Sequence, residues 1–593
     1  MVVIAKTASR SQAALLLAFR LAGALGVIVG VYIAAQFAGA PHAGWIAAGL
    51  GGPAALAVAL MLRAPPEPLA TRGAVLQASA PPKLTVLLAS GAVLFLLVLL
   101  PVLVARLPPD DDYPNHLARL HVIALDGRDA LLDQFYAIEW RVIPNLGMEL
   151  VLPLLAAATG VFLAGKLFFA TTMLLLLTGP HAIHWALYRR LSLGPLVAVL
   201  FAYNGVTKMG VLNYEFGIGL AMFAVAGWIA LRGANPWVRA AVSAACLLAL
   251  FFCHLMALAI YALVIGSFEL WRLWSARREP RRLAIDAAVL ALPFALAIPL
   301  FLLRPATQEG YTAPLDWGGL HARIDGLRLL LEAYFPLADL IALLAMGAAL
   351  VVLLRRRVLF LHPFCWTMLA VIGAVYLVVP NRVDGSWGVV NRLPIAVLLV
   401  MIGALHWDLG SRRARAVFLA ALGLLALFRT AAVEAAFWRY DRITADFEIS
   451  LRLIRPGSRV LVAEVDAPPE DALTGAIEQL PLLAVIERSS LVSLMYSHPL
   501  QQILVVRPPY RASTGGFSDQ PIPLPVLLAP PQLFPPGTKP MYAPSGRIYW
   551  SDWVHDYDYL YVIDRREPAS PAPDRLVPLY DGDRFQLFGV KAP

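Results

Sequence analysis

Charge is what this chain has least of. Only 15% of its 593 residues are Asp, Glu, Lys or Arg, 59% are hydrophobic, and the mean hydropathy is +0.69. Soluble chains carry charge on roughly a quarter of their residues, so a water-soluble globular fold is excluded and a polytopic membrane protein remains. Cysteine is scarce as well. The three present, Cys246, Cys253 and Cys365, all sit in apolar runs, which removes a disulfide framework and a cysteine-based zinc site. Walker loop, Rossmann fingerprint, serine-nucleophile elbow and zincin helix are all missing, so ATP-driven transport has no support. The formal charge of +9 does not point to nucleic acid. Its arginines fall in short gaps between apolar runs, where they act as topology signals.

What is present is a succession of hydrophobic runs. Leu21–Phe37 and Ala43–Leu62 follow Lys6, Arg10 and Arg20 and read as an uncleaved hairpin. A proline-rich link bearing Arg63, Arg72 and Lys83 then lies on the cytoplasmic side, so residues 1–83 form an extra N-terminal hairpin. Leu84–Ala105 leads out to a first external loop, 107–147. Glu149–Thr159, Phe162–Leu187, Phe216–Leu231, Val238–Cys253 and Leu255–Trp271 read as crossings. Pro195–Tyr203, about half a bilayer long, reads as a re-entrant piece. This division leaves Arg189 and Arg190 outside, against the positive-inside rule. Leu283–Leu303, Leu337–Leu354, Val358–Val379, Pro394–Trp407 and Val417–Phe437 follow, with external loops 304–336 and 380–392. The expectation is a polytopic α-helical membrane protein of about thirteen spans, its membrane domain covering 84–437. It is placed in a bacterial inner membrane with the N-terminus cytoplasmic. From 438 to 593 the apolar runs shorten to strand length (Arg459–Val465, Gln502–Val506, Leu560–Asp564, Phe585–Val590), and prolines cluster between Pro521 and Pro540. That pattern predicts an extracytoplasmic α/β domain.

The chemistry gathers on one face. Asp110-Asp111-Asp112 follows the third run almost without spacer, and three carboxylates at a membrane boundary are costly unless a cation, a proton or a substrate uses them. Asp112 and Pro114 suit the cap and first turn of a helix, which would be amphipathic and interfacial. His116 and Arg119 share a face of that helix. The aspartates can serve as a general base whose pKa is raised by like charge. Asp110 and Asp112 can alternatively be oxygen ligands of a divalent cation such as Mg²⁺ or Mn²⁺, although no cofactor is certain. Arg119 is a candidate phosphate clamp and His116 a metal or phosphate ligand; an interfacial anchor is the plainer reading of both. Asn213-Tyr214-Glu215, with Lys208 just before, opens a span at the same face, and Glu215 either complements the helix dipole or lines a polar cavity. His254 lies in a break between two spans. Asn391-Arg392-Leu393-Pro394 places an arginine at the mouth of a late span, suited to an anionic headgroup. Glu309, Tyr311, Asp316, Trp317 and His321 form either a sugar-contacting surface or a polar lid. Trp550, Asp552, Trp553, His555, Asp556, Tyr557 and Tyr559 suit packing against the membrane domain better than sugar contact.

Taken together, the Asp110-Asp111-Asp112 loop with His116-Leu117-Ala118-Arg119, the Asn391-Arg392-Leu393-Pro394 turn and the terminal α/β domain resemble the GT-C superfamily of integral-membrane glycosyltransferases. The pattern departs from that superfamily in its extra N-terminal hairpin and in carrying three aspartates where many members have Asp-Glu. The resemblance implies a polyprenyl-phosphate-linked sugar donor and a glycan, lipid or protein acceptor. An external aspartate would orient or deprotonate the acceptor, which attacks and inverts the anomeric carbon. Arginines or a metal would stabilise the departing phosphate. A transporter or flippase for a lipid-linked saccharide is the alternative, followed by a non-catalytic scaffold of an assembly machine. A transporter favours internal repeats and mid-span charges, whereas here the polar groups collect at one face.

Overall fold

The computed structural model describes residues 81–275, 280–295, 297–303, 316–383, 386–465, 471–498, 500–511, 513–514, 520–529, 549–565, 567 and 569–591. The expected N-terminal hairpin, Glu309, Tyr311 and most of the proline cluster lie outside the described residues.

Hydrocarbon forces each crossing backbone to satisfy itself, so the leucine-rich runs become helices. Seven described helices are long and apolar enough to cross a membrane: Leu84–Val104, Val161–Tyr188, Leu212–Ala230, Pro236–Cys253, Leu255–Ser275, Pro336–Arg355 and Arg412–Leu451. Phe364–Val378 and Val389–Ala404 are shorter apolar helices. Local chemistry sets several starts. Pro236 and Pro336 occupy first turns. The Asn235 carboxamide accepts from Trp237 N at 2.9 Å, and the Ser411 hydroxyl from Ala414 N at 3.0 Å.

Two expected segments differ. Glu149–Thr159, expected to cross, is instead the two short helices Gly147–Val151 and Pro153–Thr159. Seven residues rise only about 10 Å, a third of the hydrocarbon thickness. Pro195–Tyr203 lies in a segment that does not turn back. At one end Gly194 lies against the Trp407 ring, and at the other Lys208 O accepts from Asp111 N at 2.8 Å, so residues 193–210 connect the two faces of the helical layer. These two changes move Arg189 and Arg190 to the face opposite the aspartates. There the Arg189 guanidinium donates to Ala230 O at 3.0 Å, and Arg190 shares a cleft with Arg415. Arg189, Arg190 and Arg415 now share one face.

The helix Arg412–Leu451 runs 40 residues, out of the helical layer and into the terminal domain, so the boundary expected at 438 falls inside a continuous helix. Beyond it lies a mixed sheet. Arg459–Glu464 pairs in parallel with Leu491–Val492, Ile522–Pro523 and Tyr559–Ile563, and Phe585–Val590 joins Tyr559–Ile563 to Leu576–Asp581 by antiparallel ladders. The run Gln502–Val506 is not part of this sheet. Its Leu504–Val506 pairs antiparallel with Tyr136–Ile138 of the first external loop, tying the terminal domain to the membrane domain. The aromatic group Trp550, Trp553 and Tyr557 packs on Leu461, Leu560 and Phe588 in the terminal domain's own core, not on the membrane helices.

Tyr113–Leu125 is a helix, as Pro114 suggested, but not an interfacial one. Ten of its 13 residues are buried. Membrane helices cover one side and the terminal domain covers the other, so a single core runs from Val98 and Phe168 through Tyr113 and Leu117 to Leu483, Phe447 and Phe585. The polar residues of this helix therefore lie at a domain seam, not in water.

Candidate active site

The three consecutive aspartates point three ways. Their backbone is held against residues 208–210. Gly210 adopts φ +74° and approaches so closely that a Cβ there would come within 2.6 Å of Asp112 N. Asp110 turns inward and has no exposed surface. Its Oδ1 accepts from the Tyr334 hydroxyl at 3.2 Å, and its Oδ2, also buried, has no hydrogen-bond partner. Burial, reinforced by the charges of Glu215 and Asp111, pushes the Asp110 carboxyl well above the usual carboxylate range, while the Tyr334 bond pulls it down. Asp111 faces the terminal domain; a Cβ on Gly475 would lie 2.5 Å from its Oδ1. Asp112 stands at the cap position but makes no capping bond, and its charge acts on Arg392.

Glu215 completes the inward carboxylate pair. It is 1% exposed, and its Oε1 accepts from the Thr207 hydroxyl at 2.7 Å. Asn204 orients that hydroxyl. Its Oδ1 caps the turn Gly205–Lys208 through Val206 N at 2.8 Å, and its Nδ2 donates to Thr207 Oγ1 at 2.9 Å. Glu215 Oε2 is buried without a partner. Of the two readings of Glu215, the geometry favours the polar cluster over the helix dipole. Asp110 and Glu215 thus each hold one oxygen by a hydroxyl and leave the other unpaired in a protein interior. Such groups carry a high desolvation cost that structure alone does not return.

His116 and Arg119 lie in a second cluster organised by Glu149, which the sequence reading had placed at the start of a span. Arg119 donates to Glu149 Oε1 at 3.4 Å and to Asn115 Oδ1 at 2.5 Å, and meets His116 Nδ1 at 2.8 Å. Asn213 Nδ2 donates to Glu149 Oε2 at 3.0 Å, and Asn213 Oδ1 accepts from Met148 N at 2.7 Å. Although burial raises it, the charges and hydrogen bonds of His116, Arg119 and Asn213 hold Glu149 down at about 2. Burial and the Arg119 charge lower the His116 pKa, against the pull of Glu149. Asn115 Nδ2 reaches Gln479 Oε1 at 3.3 Å and Leu494 O at 3.1 Å in the terminal domain. Arg119 is thus engaged by Glu149, Asn115 and His116, and through Asn115 it adjoins the domain seam.

Arg392 is placed differently. It is buried, its Nε has no hydrogen-bond partner, and its guanidinium lies over the Tyr214 ring, 5.9 Å from the centroid. The Tyr214 hydroxyl donates to Arg392 O, and the Tyr214 ring meets the His254 ring edge-on at 5.3 Å. His254 Nδ1 accepts from Met256 N at 3.1 Å. Asn391 lies beside it with Oδ1 buried and unpartnered. The structure therefore brings Tyr214, His254, Asn391, Arg392 and Asp112 into one neighbourhood, Asp110 with Glu215 into another, and His116, Arg119 and Asn213 into a third. In the second external loop, Asp316 forms a backbone bridge with Arg382, and the exposed His321 pairs with Asp325 at 2.7 Å, away from these groups.

The sequence reading missed three contributors. Tyr334 donates its hydroxyl to Asp110 Oδ1. Arg429, 7% exposed within a membrane helix, donates to Tyr203 O at 2.8 Å, Leu331 O at 3.2 Å and Asp339 Oδ1 at 3.3 Å. Asp339 Oδ2 accepts from Ala333 N at 2.9 Å, so Arg429 and Asp339 brace the turn that presents Tyr334. A buried arginine inside an apolar run is itself a signal of function, and Arg429 was open to that inference.

Among the described residues, no three His, Cys, Asp or Glu side chains come together in a metal-ligating arrangement. Asp110 faces Tyr334 and Glu215, whereas Asp112 acts on Arg392, so the pair expected as cation ligands is divided between two neighbourhoods.

No family model matches this chain, and no curated protein matches it. Among solved structures it is similar to the crystal structure of ArnT from Cupriavidus metallidurans in the apo state, with 11% sequence identity, a TM-score of 0.42, and coverage of 86% of this chain and 98% of that one. A likeness at this level leaves the question of activity to the side chains described above.

Proposed function

We propose that this chain is a membrane glycosyltransferase that moves a sugar from a polyprenyl-phosphate donor to an envelope glycan, lipid or protein acceptor at the acidic face of the membrane. With the arginines cytoplasmic, that face is the periplasmic one of an inner membrane, and the terminal domain lies on the same side. The observation that carries this reading is Asp110. It is fully buried, has one oxygen unpartnered and a raised pKa, and stands next to a second half-satisfied carboxylate, Glu215.

A carboxylate tuned upward suits a general base near neutral pH. Asp110 Oδ2 takes the proton of an acceptor hydroxyl or amine as that atom's lone pair attacks the anomeric carbon. The bond from that carbon to the phosphate oxygen breaks on the opposite side, so configuration inverts and polyprenyl phosphate leaves with the electron pair. Arg392 faces the negative charge that develops on the leaving oxygen. Glu215 keeps Asp110 basic by like charge.

The experiment is sugar transfer by purified full-length protein from undecaprenyl-phosphate-linked hexoses and pentoses to inner-membrane extract. Asp110→Asn is compared with Asp111→Asn, with monodispersity as the folding control. Asp110→Asn should lose transfer by about 10²–10⁴-fold, while Asp111→Asn should retain most of it. Equal activity in the two variants would remove the assignment. Movement of the lipid-linked saccharide across a bilayer without a covalent product would favour the flippase reading.

A further inference from the structure

The opposite face holds a group of residues that sugar transfer does not use. His184, Arg190, Ser192, His406, Trp407 and Arg415 line a small cleft open to solvent. They arrive from four places: the end of Val161–Tyr188, the turn after it, the link between Val389–Ala404 and Arg412–Leu451, and the first turn of Arg412–Leu451. Two helix starts adjoin these residues in the chain. Gly194–Phe201 is a 3₁₀ helix of 8 residues whose first N–H is met by Ser192 Oγ at 3.1 Å, and Arg412–Leu451 begins at Ser411.

The positive-inside rule explains arginines at this face, but not Trp407. That side chain is 7% exposed, and its indole N–H is buried with no hydrogen-bond partner. An indole nitrogen is a donor only, and an unmade donor in a protein interior is costly. Its ring is held by Gly194, where a Cβ would collide with it, so the N–H cannot swing away cheaply. His406 Nδ1 is likewise buried and unpartnered. His184 Nδ1 lies 3.2 Å from Gly403 O and 3.1 Å from Leu405 O, so it donates to backbone and fixes the ring. Asp408 is the carboxylate acting on His406, set against Arg190.

We infer that this cleft is a phosphate-binding site: the Arg190 and Arg415 guanidinium groups and the Trp407 N–H receive the oxygens of a phosphate monoanion or diester. The chemistry fits an anionic lipid headgroup at the cytoplasmic leaflet and equally a soluble phosphate, since both present the same oxygens to the same donors. The site is independent of the proposed sugar transfer, lying on the other face.

The test uses full-length protein in nanodiscs. Lipid retention on release is read by native mass spectrometry for phosphatidylglycerol against phosphatidylcholine, and protection of arginines from phenylglyoxal is read with inorganic phosphate against chloride. Trp407→Phe removes the N–H and keeps the ring against Gly194; Arg190→Gln with Arg415→Gln removes the charges. Phosphatidylglycerol preference that falls about three- to ten-fold in Trp407→Phe and further in the double variant identifies a lipid headgroup. Protection by inorganic phosphate that weakens in the same order, without lipid preference, identifies a soluble phosphate. Should the double variant fail to fold, Trp407→Phe decides alone. Wild-type protein that distinguishes neither lipid from lipid nor phosphate from chloride, or that matches Trp407→Phe in both assays, overturns the site.

Discussion

Replacing Tyr334 by phenylalanine tests the proposed base without touching it. The Tyr334 hydroxyl donates to Asp110 Oδ1 at 3.2 Å and lowers the carboxyl's pKa against the opposing effects of burial, Glu215 and Asp111. A hydrogen bond to a charged group contributes roughly 1.5–3 kcal/mol, and 3.2 Å is long for an O–H···O contact, so the lower end applies. At about 1.4 kcal/mol per pH unit, the ascending limb of transfer should move up by about one pH unit. The direction follows from the chemistry. The base works only when deprotonated, and losing a donor to the charged form favours the protonated one. On that limb, Tyr334→Phe should therefore lose up to about ten-fold in rate and recover toward wild type as pH rises. The assay is single-turnover transfer across a pH series, with thermal unfolding in detergent alongside. Stability has its own sign. A carboxyl whose folded pKa is raised binds more protons folded than unfolded, so its contribution declines as pH rises from its unfolded value through the folded one. Tyr334→Phe should widen that decline. A uniform drop in rate with an unmoved limb would show that Tyr334 serves packing alone, and the tuning argument would fail.

Three further outcomes follow from the same geometry. Arg429→Met strips donors from Tyr203 O and Leu331 O and leaves the half-buried Asp339 without its cation, which should cost about 1–3 kcal/mol; Arg429→Lys should restore part of the stability and of the pH profile, and full activity in Arg429→Met would contradict its bracing role. Glu149, held at about 2 in the fold against 4.5 outside it, contributes stability that is present above the unfolded value and lost as pH falls from 4.5 toward 2. Glu149→Gln should flatten that loss, on the order of 2–4 kcal/mol, measured by unfolding at pH 6 and pH 3. Arg392→Gln should raise the donor KM about 10–100-fold, as expected for a lost charge-assisted hydrogen bond to phosphate; an unchanged KM with altered acceptor kinetics would move the donor elsewhere.

Composition and periodicity by themselves determined that this is a membrane protein, where most helices lie, and that the polar chemistry gathers at one face beside a terminal α/β domain. Those features are local: a run of leucines needs no distant partner to become a helix in hydrocarbon. The helix after Pro114 was legible for the same reason. Topology between 148 and 210 was not. Hydropathy cannot tell two short helices packed at a surface from a crossing, nor see a 3₁₀ segment that connects two faces, and the stranded Arg189 and Arg190 were the trace of that error. Side-chain roles were hidden most deeply. Asp110, Asp111 and Asp112 are equivalent as text, yet contacts from distant parts of the chain divide them: Tyr334, 224 residues away, reaches Asp110, while Gly475 lies against Asp111. His116 and Arg119 looked like an open face because no local pattern announces Glu149 or the terminal domain that buries them. Burial and pairing of charges depend on which chain segments meet, so only the tertiary structure decided which aspartate is held desolvated and which arginine keeps an unpartnered donor.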